Sequence, residues 1–309
     1  MAAAIDKALY YATLDHLVVI LFGETGAGKS MFAERIHRAS PRAAGPFGEA
    51  NLGRMSESMA EAELFGHARG AFTDAKGERA GLCLSSHHGS LFLDEFGKAS
   101  LGIQRQLLAL LERRTIRRLG DDRDTPVDVR FIVGTNAHPK DLLKKGELLP
   151  DLYYRLGLNY VVIPPLRDRR EDIPALAEHL IRELGPMSGY APTALPTFHR
   201  DVELRFDRYR WPGNVRELRS VIETMLANAR GARVLTTEHW PSELEDFDAD
   251  TYENGAGAAV RREARKRAAQ ELAEKGASTS ELMRVAGRGR TTTHNWTKDH
   301  KPRNGDDRA

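Results

Sequence analysis

Six apolar residues, "LVVILF" (17–22), run straight into "GETGAGKS" (23–30), and an apolar-faced helical pattern follows. No other stretch constrains the fold so tightly. A phosphate-binding loop needs a strand before it and a helix after it. Its glycines let the backbone turn N–H groups inward, and the helix adds its positive N-terminus. Gly23, Glu24, Thr25, Gly26, Ala27 and Gly28 would form the cradle. Lys29 would bridge the β- and γ-phosphates of ATP, and Ser30 would hold Mg2+.

The rest of residues 1–165 agrees with this. "SLFLDE" (90–95), "VRFIVGT" (129–135) and "YVVI" (160–163) read as further strands buried on both faces, with helical segments such as "IQRQLLALLER" (103–113) between them. That alternation is the α/β pattern of a parallel sheet covered by helices. Asp94, at the carboxyl end of a strand, would bind Mg2+ or its water, and Glu95 would orient and polarise an attacking water. "GTN" (134–136) ends another strand, which makes Asn136 a candidate sensor of the γ-phosphate.

"PPLRDRRED" (164–172) marks a boundary. Beyond it Ile173, Leu176, Leu180 and Leu184 recur at helical spacing, with Asp172 as a cap and Pro174 in the first turn. A second helix opens at "GNVRELRSVIETML", where Asn214 and Glu217 have capping-box spacing. The expected organisation is an α/β core over 1–165, a small helical domain over 166–246, a linker over 247–259 and a C-terminal region over 260–309.

Charge separates that last region from the body. From Gly255 onward there are 13 Lys/Arg against 7 Asp/Glu, a balance of +6, whereas the remainder holds 33 against 37, a balance of −4. A basic tail on a mildly acidic body points to a polyanionic partner. The single cysteine, Cys83, cannot form an internal disulfide and fits a reducing cytoplasm. "LVVILF" is too short to span a bilayer, so no membrane partner is expected. The His87–His88 pair lacks further ligands at metal spacing.

In order along the chain, "GETGAGKS", "EAELFGHARGAFTDA", "GSLFLDEFGKAS", "VRFIVGTN", "DLYYRLGL", "IPPLRDRREDIPALAEHLI" and "WPGNVRELRSVIE" resemble the central AAA+ ATPase domain of bacterial sigma-54-dependent transcriptional activators. The resemblance covers roughly residues 17–240. It implies a P-loop core with a helical lid, ATP hydrolysis in a homo-oligomeric ring, commonly a hexamer, and work done on sigma-54 RNA polymerase holoenzyme. It also implies that Phe72 and Thr73 of "GAFTDA" contact sigma-54, on a loop whose position follows the nucleotide. Asn51 matches the residue that restrains the catalytic Glu95. Arg155 matches an arginine supplied to the neighbouring subunit's ATP, and Arg216 the lid's nucleotide sensor.

The pattern is departed from at four points. Asp74 stands where the family has Gly, Leu149 where it has a first trans-acting arginine, and Ser30 where Glu is frequent. The start, about twenty residues before the phosphate loop, would leave no room for a receiver or ligand-sensing domain if it is the natural one. Control is then expected from a separate protein, from expression level or from a missing segment.

The tail resembles the family's C-terminal helix-turn-helix, with helices over 261–276, 278–287 and 290–300. Arg288, Arg290, Thr291, Thr292, His294, Asn295 and Lys298 would contact DNA phosphates or base edges. The alternative is an unstructured basic tail that binds DNA by charge alone. Two readings of the whole chain follow: an ATP-hydrolysing activator of sigma-54 polymerase, or a DNA-binding regulator that binds ATP but hydrolyses it poorly and does not activate sigma-54.

Overall fold

A computed structural model describes residues 1–68 and 78–244. "GAFTDA", with Phe72, Thr73 and Asp74, lies outside the described residues, as do the whole of the expected linker and all the candidate DNA contacts from Arg288 to Lys298. Met1–Trp240 forms one compact unit.

Five strands form its parallel sheet: β1 (Val19–Phe22), β2 (Phe47–Asn51), β3 (Ser90–Asp94), β4 (Arg130–Thr135) and β5 (Tyr160–Val162), in the order β2-β3-β4-β1-β5. The period of two assigns their side chains to opposite faces. Ile20, Leu91, Leu93, Phe131 and Val133 enter one core, with residues of α3 (Glu57–Phe65), α4 (Leu101–Arg113) and α5 (Pro150–Leu156). Val19, Leu21, Phe92 and Ile132 enter the other, with residues of α1 (Ala2–Ala12) and α2 (Lys29–Arg38). Both faces are thus covered, as the continuous apolar runs require.

Strand β2 carries no such run. "FGEAN" lies at the sheet edge with only Ala50 buried, so its sequence gives no period to read.

After β3 and after β1 the chain enters the site. Before β3, Gly66–His67 pairs antiparallel with Arg79–Ala80. Gly66 sits at φ +81, and a Cβ on Gly81 would lie 2.4 Å from the Leu64 carbonyl oxygen. Two glycines therefore let the two arms close against the end of α3. A second antiparallel pair, Thr115–Arg117 with Asp124–Pro126, lies beside this stem, and the Leu119 N–H donates to the Gly66 carbonyl at 3.0 Å.

Two short 3-10 turns, Leu166–Asp168 and Arg170–Asp172, lead from the sheet into the lid. The lid packs α6 (Ile173–Met187), α7 (Arg200–Arg208) and α8 (Asn214–Ala229). Leu180, Ile181 and Leu184 of α6 and Leu218, Val221, Ile222, Met225 and Leu226 of α8 are buried, the apolar stripes expected at helical spacing.

The capping box expected at Asn214 forms only in half. Glu217 reaches back and accepts from the Gly213 N–H at 2.8 Å, but Gly213 is the cap and Asn214 is the first helical residue, at φ +53. The Asn214 side chain is engaged elsewhere.

Candidate nucleotide site

The loop between β1 and α2 is shaped by its glycines. Gly26 and Gly28 have φ +77 and +104, in the left-handed region that other residues enter at a cost. Gly28 is the cap of α2, so the N–H groups of Lys29 and Ser30 belong to the unsatisfied first turn, where an anion is favoured. A Cβ on Gly26 would stand 2.2 Å from the Gly213 carbonyl oxygen, so the loop is pressed directly against the lid.

Lys29 is buried, and its Nζ donates to the Gly23 and Glu24 carbonyls at 3.1 and 3.2 Å. Burial pulls its ammonium below the ordinary lysine value; Asp94 and Glu95 oppose this, and Arg216 adds to it. Asp94 Oδ1 accepts from the Glu95 N–H at 2.9 Å. Glu95 itself sits at φ +52, and its carboxylate lies over Gly53, where a Cβ would come within 1.9 Å of Oε2.

These residues converge on one crevice of about 310 Å³ between loop and lid. Its lining includes Gly26, Lys29, Ser30, Asp94, Glu95 and Arg216. Among the other expected residues, Asn51 joins through Asp94: its Nδ2 donates to Asp94 Oδ2 at 3.4 Å, and its Oδ1 accepts from Gly53, the residue under Glu95. Asn136 follows the end of β4, the strand next to β3. Arg155 is not in the crevice lining. Its Nη2 donates to the Leu111 carbonyl of its own chain at 2.8 Å. Leu149 packs against the main core, and its N–H donates to Gln104 Oε1.

Several site residues escaped the sequence reading. Glu49 accepts from the Ser30 hydroxyl at 3.0 Å; it shares a face of β2 with Asn51, two residues on. From the lid, Leu176, His179, Leu180, Glu183 and Arg219 also line the crevice. Arg219 grips Glu183 through two bonds of 2.9 Å, and this pairing holds the Glu183 carboxyl below its ordinary value. Arg219 stands one helical turn from Arg216, a spacing that marks the shared face once Arg216 is placed.

Strand, glycine loop, helix and an acidic strand end beneath a helical lid define a P-loop nucleotide-binding α/β protein. Residues 1–162 match the sigma-54 interaction domain and residues 167–256 the AAA+ ATPase lid domain, so the chain belongs to the sigma-54 interaction domain family.

It is similar to the Nif-specific regulatory protein of Herbaspirillum seropedicae, 43% identical over 213 residues, covering 69% of this chain and 39% of that protein. It is equally similar to the sigma54-dependent transcriptional activator SfnR of Pseudomonas putida, 43% identical over 208 residues, covering 67% of this chain and 56% of that protein. The chain thus spans about half or less of those relatives. Among solved structures, NtrX from Brucella abortus in complex with ATP superposes with a TM-score of 0.72 at 27% identity, covering 97% of this chain and 67% of that one. Among the described residues no helix is long and apolar enough to cross a membrane.

Proposed function

We propose that this protein is a cytoplasmic ATPase that activates transcription by sigma-54 RNA polymerase. The observation that carries the reading is the convergence of Lys29, Asp94, Glu95 and Arg216, from three separate stretches, on one crevice in a chain of the sigma-54 interaction domain family. The first-turn amides of α2 and Lys29 bind and orient the triphosphate. Asp94 and Glu95 stand at the end of β3; Glu95 accepts a hydrogen bond from the water that attacks the γ-phosphorus, and so positions it. Arg216, from the lid, meets the developing charge.

The donors also suit magnesium. No group of three acidic, His or Cys ligands occurs among the described residues, and Mg2+ in such sites takes few protein ligands beside phosphate oxygens and water. Ser30 Oγ and the Asp94 carboxylate are hard oxygen donors at the mouth of the loop and would hold it. When bound, it neutralises charge on the β- and γ-phosphates.

Beyond the single chain, Arg155 acts in a neighbour's site within a homo-oligomeric, hexameric ring closed head to tail. Phe72 and Thr73 engage sigma-54, and the basic region 260–309 binds upstream DNA as a helix-turn-helix. The working division is a core over 1–165, a lid over 166–246 and a linker over 247–259.

The test is ATP turnover against protein concentration, with Glu95→Ala as control, followed by open-complex formation with Phe72→Ala. Turnover that rises cooperatively and vanishes in the control is expected, because each site needs a neighbour's Arg155. No turnover above the control at any concentration would overturn the reading in favour of a DNA-binding regulator that binds ATP without using it.

A further inference from the structure

Each carbonyl of a phosphate loop that is buried away from water needs a donor. The structure provides one for every residue from Gly23 to Ala27. The Gly23 and Glu24 oxygens accept from Lys29 Nζ. Thr25 O accepts from Asn214 Nδ2 at 3.0 Å, Gly26 O from the Val215 N–H at 3.0 Å and Ala27 O from Arg169 Nη2 at 2.8 Å. Three of these five carbonyls are therefore held from the hinge and lid.

Asn214 is the busiest of these groups. It is fully buried, and its amide nitrogen also donates to Glu24 Oε2 at 3.1 Å. Its amide oxygen accepts from the Leu166 N–H, in the hinge, at 2.7 Å. One side chain thus touches loop, hinge and lid helix together. Arg167 completes the arrangement with two bonds to the Glu24 carboxylate, at 2.6 and 2.9 Å, and so holds that carboxyl below its ordinary value. The backbone explains why the residue is Asn: at φ +53, Asn and Asp are among the few side chains tolerated.

We propose that Asn214 is a positioning residue through which the lid holds the phosphate loop in its anion-binding shape, so that loop and lid respond to nucleotide as one body. The inference rests on the nucleotide-binding reading above, but its geometry can be tested without nucleotide. Asn214→Asp keeps the size, the tolerance of positive φ and the oxygen that accepts from Leu166. It replaces the donor by an acceptor facing Glu24 and Thr25 O. Adding Glu24→Gln returns a donor to the pair.

Amide hydrogen exchange of the nucleotide-free protein reads the contact directly, because the Val215 N–H is protected by its bond to Gly26 O and the Leu166 N–H by its bond to Asn214. In Asn214→Asp, exchange at Val215 is expected to quicken at least about tenfold while Leu166 stays protected, and the double variant is expected to restore Val215. The affinity for MgADP should follow, roughly tenfold weaker in the single variant and recovered in the double, a change of about 1.4 kcal/mol. Unchanged exchange at Val215, or quickened exchange that Glu24→Gln fails to restore, would overturn the proposal. Failure of the unaltered protein to bind MgADP would overturn the nucleotide reading instead, while the exchange result would still decide the role of Asn214.

Discussion

At the residue scale, the site keeps a cation where the surroundings disfavour one. Lys29 is folded onto two carbonyls and buried, so its ammonium titrates below the ordinary lysine range. A bound polyphosphate brings negative charge to it and raises that value again. The nucleotide-bound state therefore holds more protons than the free state on the alkaline side, and affinity must fall as pH rises through the lowered Lys29 value. Calorimetric titration with MgADP from neutral pH up to the ordinary lysine range should show this decline. An affinity flat across that interval would mean that Lys29 does not meet the phosphates.

At the scale of elements, the end of α1, whose Ala8 and Ala12 already pack in the core, is also tied to the sheet by a buried charged side chain. Arg130, at the start of β4 and 2% exposed, sends Nη1 to the Ala12 carbonyl at 2.9 Å and Nη2 to the Tyr11 and Leu14 carbonyls at 2.6 and 3.3 Å. Burial lowers its pKa to about 10, which leaves it charged at neutral pH. Arg130→Met keeps the apolar stem but strips a charged donor from the last turn of α1. A loss of roughly 2–4 kcal/mol is expected, read as a lower urea midpoint at unchanged slope; an unmoved midpoint would show the helix end to be closed by other means.

The same scale shows where sequence suffices. β1, β3 and β4 were legible because strands buried on both faces must be apolar throughout, and α6 and α8 because one helical face must be. β5 was found by its apolar run, but it lies at the other sheet edge with Val162 56% exposed, so the expectation that it is buried on both faces is corrected. β2 was not, since an edge strand with Gly48 and Glu49 has neither constraint. Lys29, Asp94 and Glu95 could be read because their chemistry is local to one strand end or loop. Asn214, Arg169 and Glu49 could not, because each finds its partner across the fold; Asn214 even imitated a helix cap, the nearest local use for an Asn three residues before a Glu.

At the scale of the molecule, Cys83 offers a natural reporter. It lies fully buried in the core shared by α3, α4 and α5, and burial pushes its thiol up to about 12. At pH 8 it should react with a thiol reagent roughly a thousandfold more slowly in the folded protein than in the urea-unfolded chain. Rapid labelling under native conditions would mean that this core opens readily.

The glycine-closed stem of Gly66–His67 and Arg79–Ala80 has a different kind of consequence. Because its two arms meet edge to edge, His67 and Arg79 are held side by side at the end of α3, and the core below is complete up to that place. The stretch between the arms can therefore change in length without breaking a bond of the ladder, because the entropy of closing a loop grows only slowly with its length.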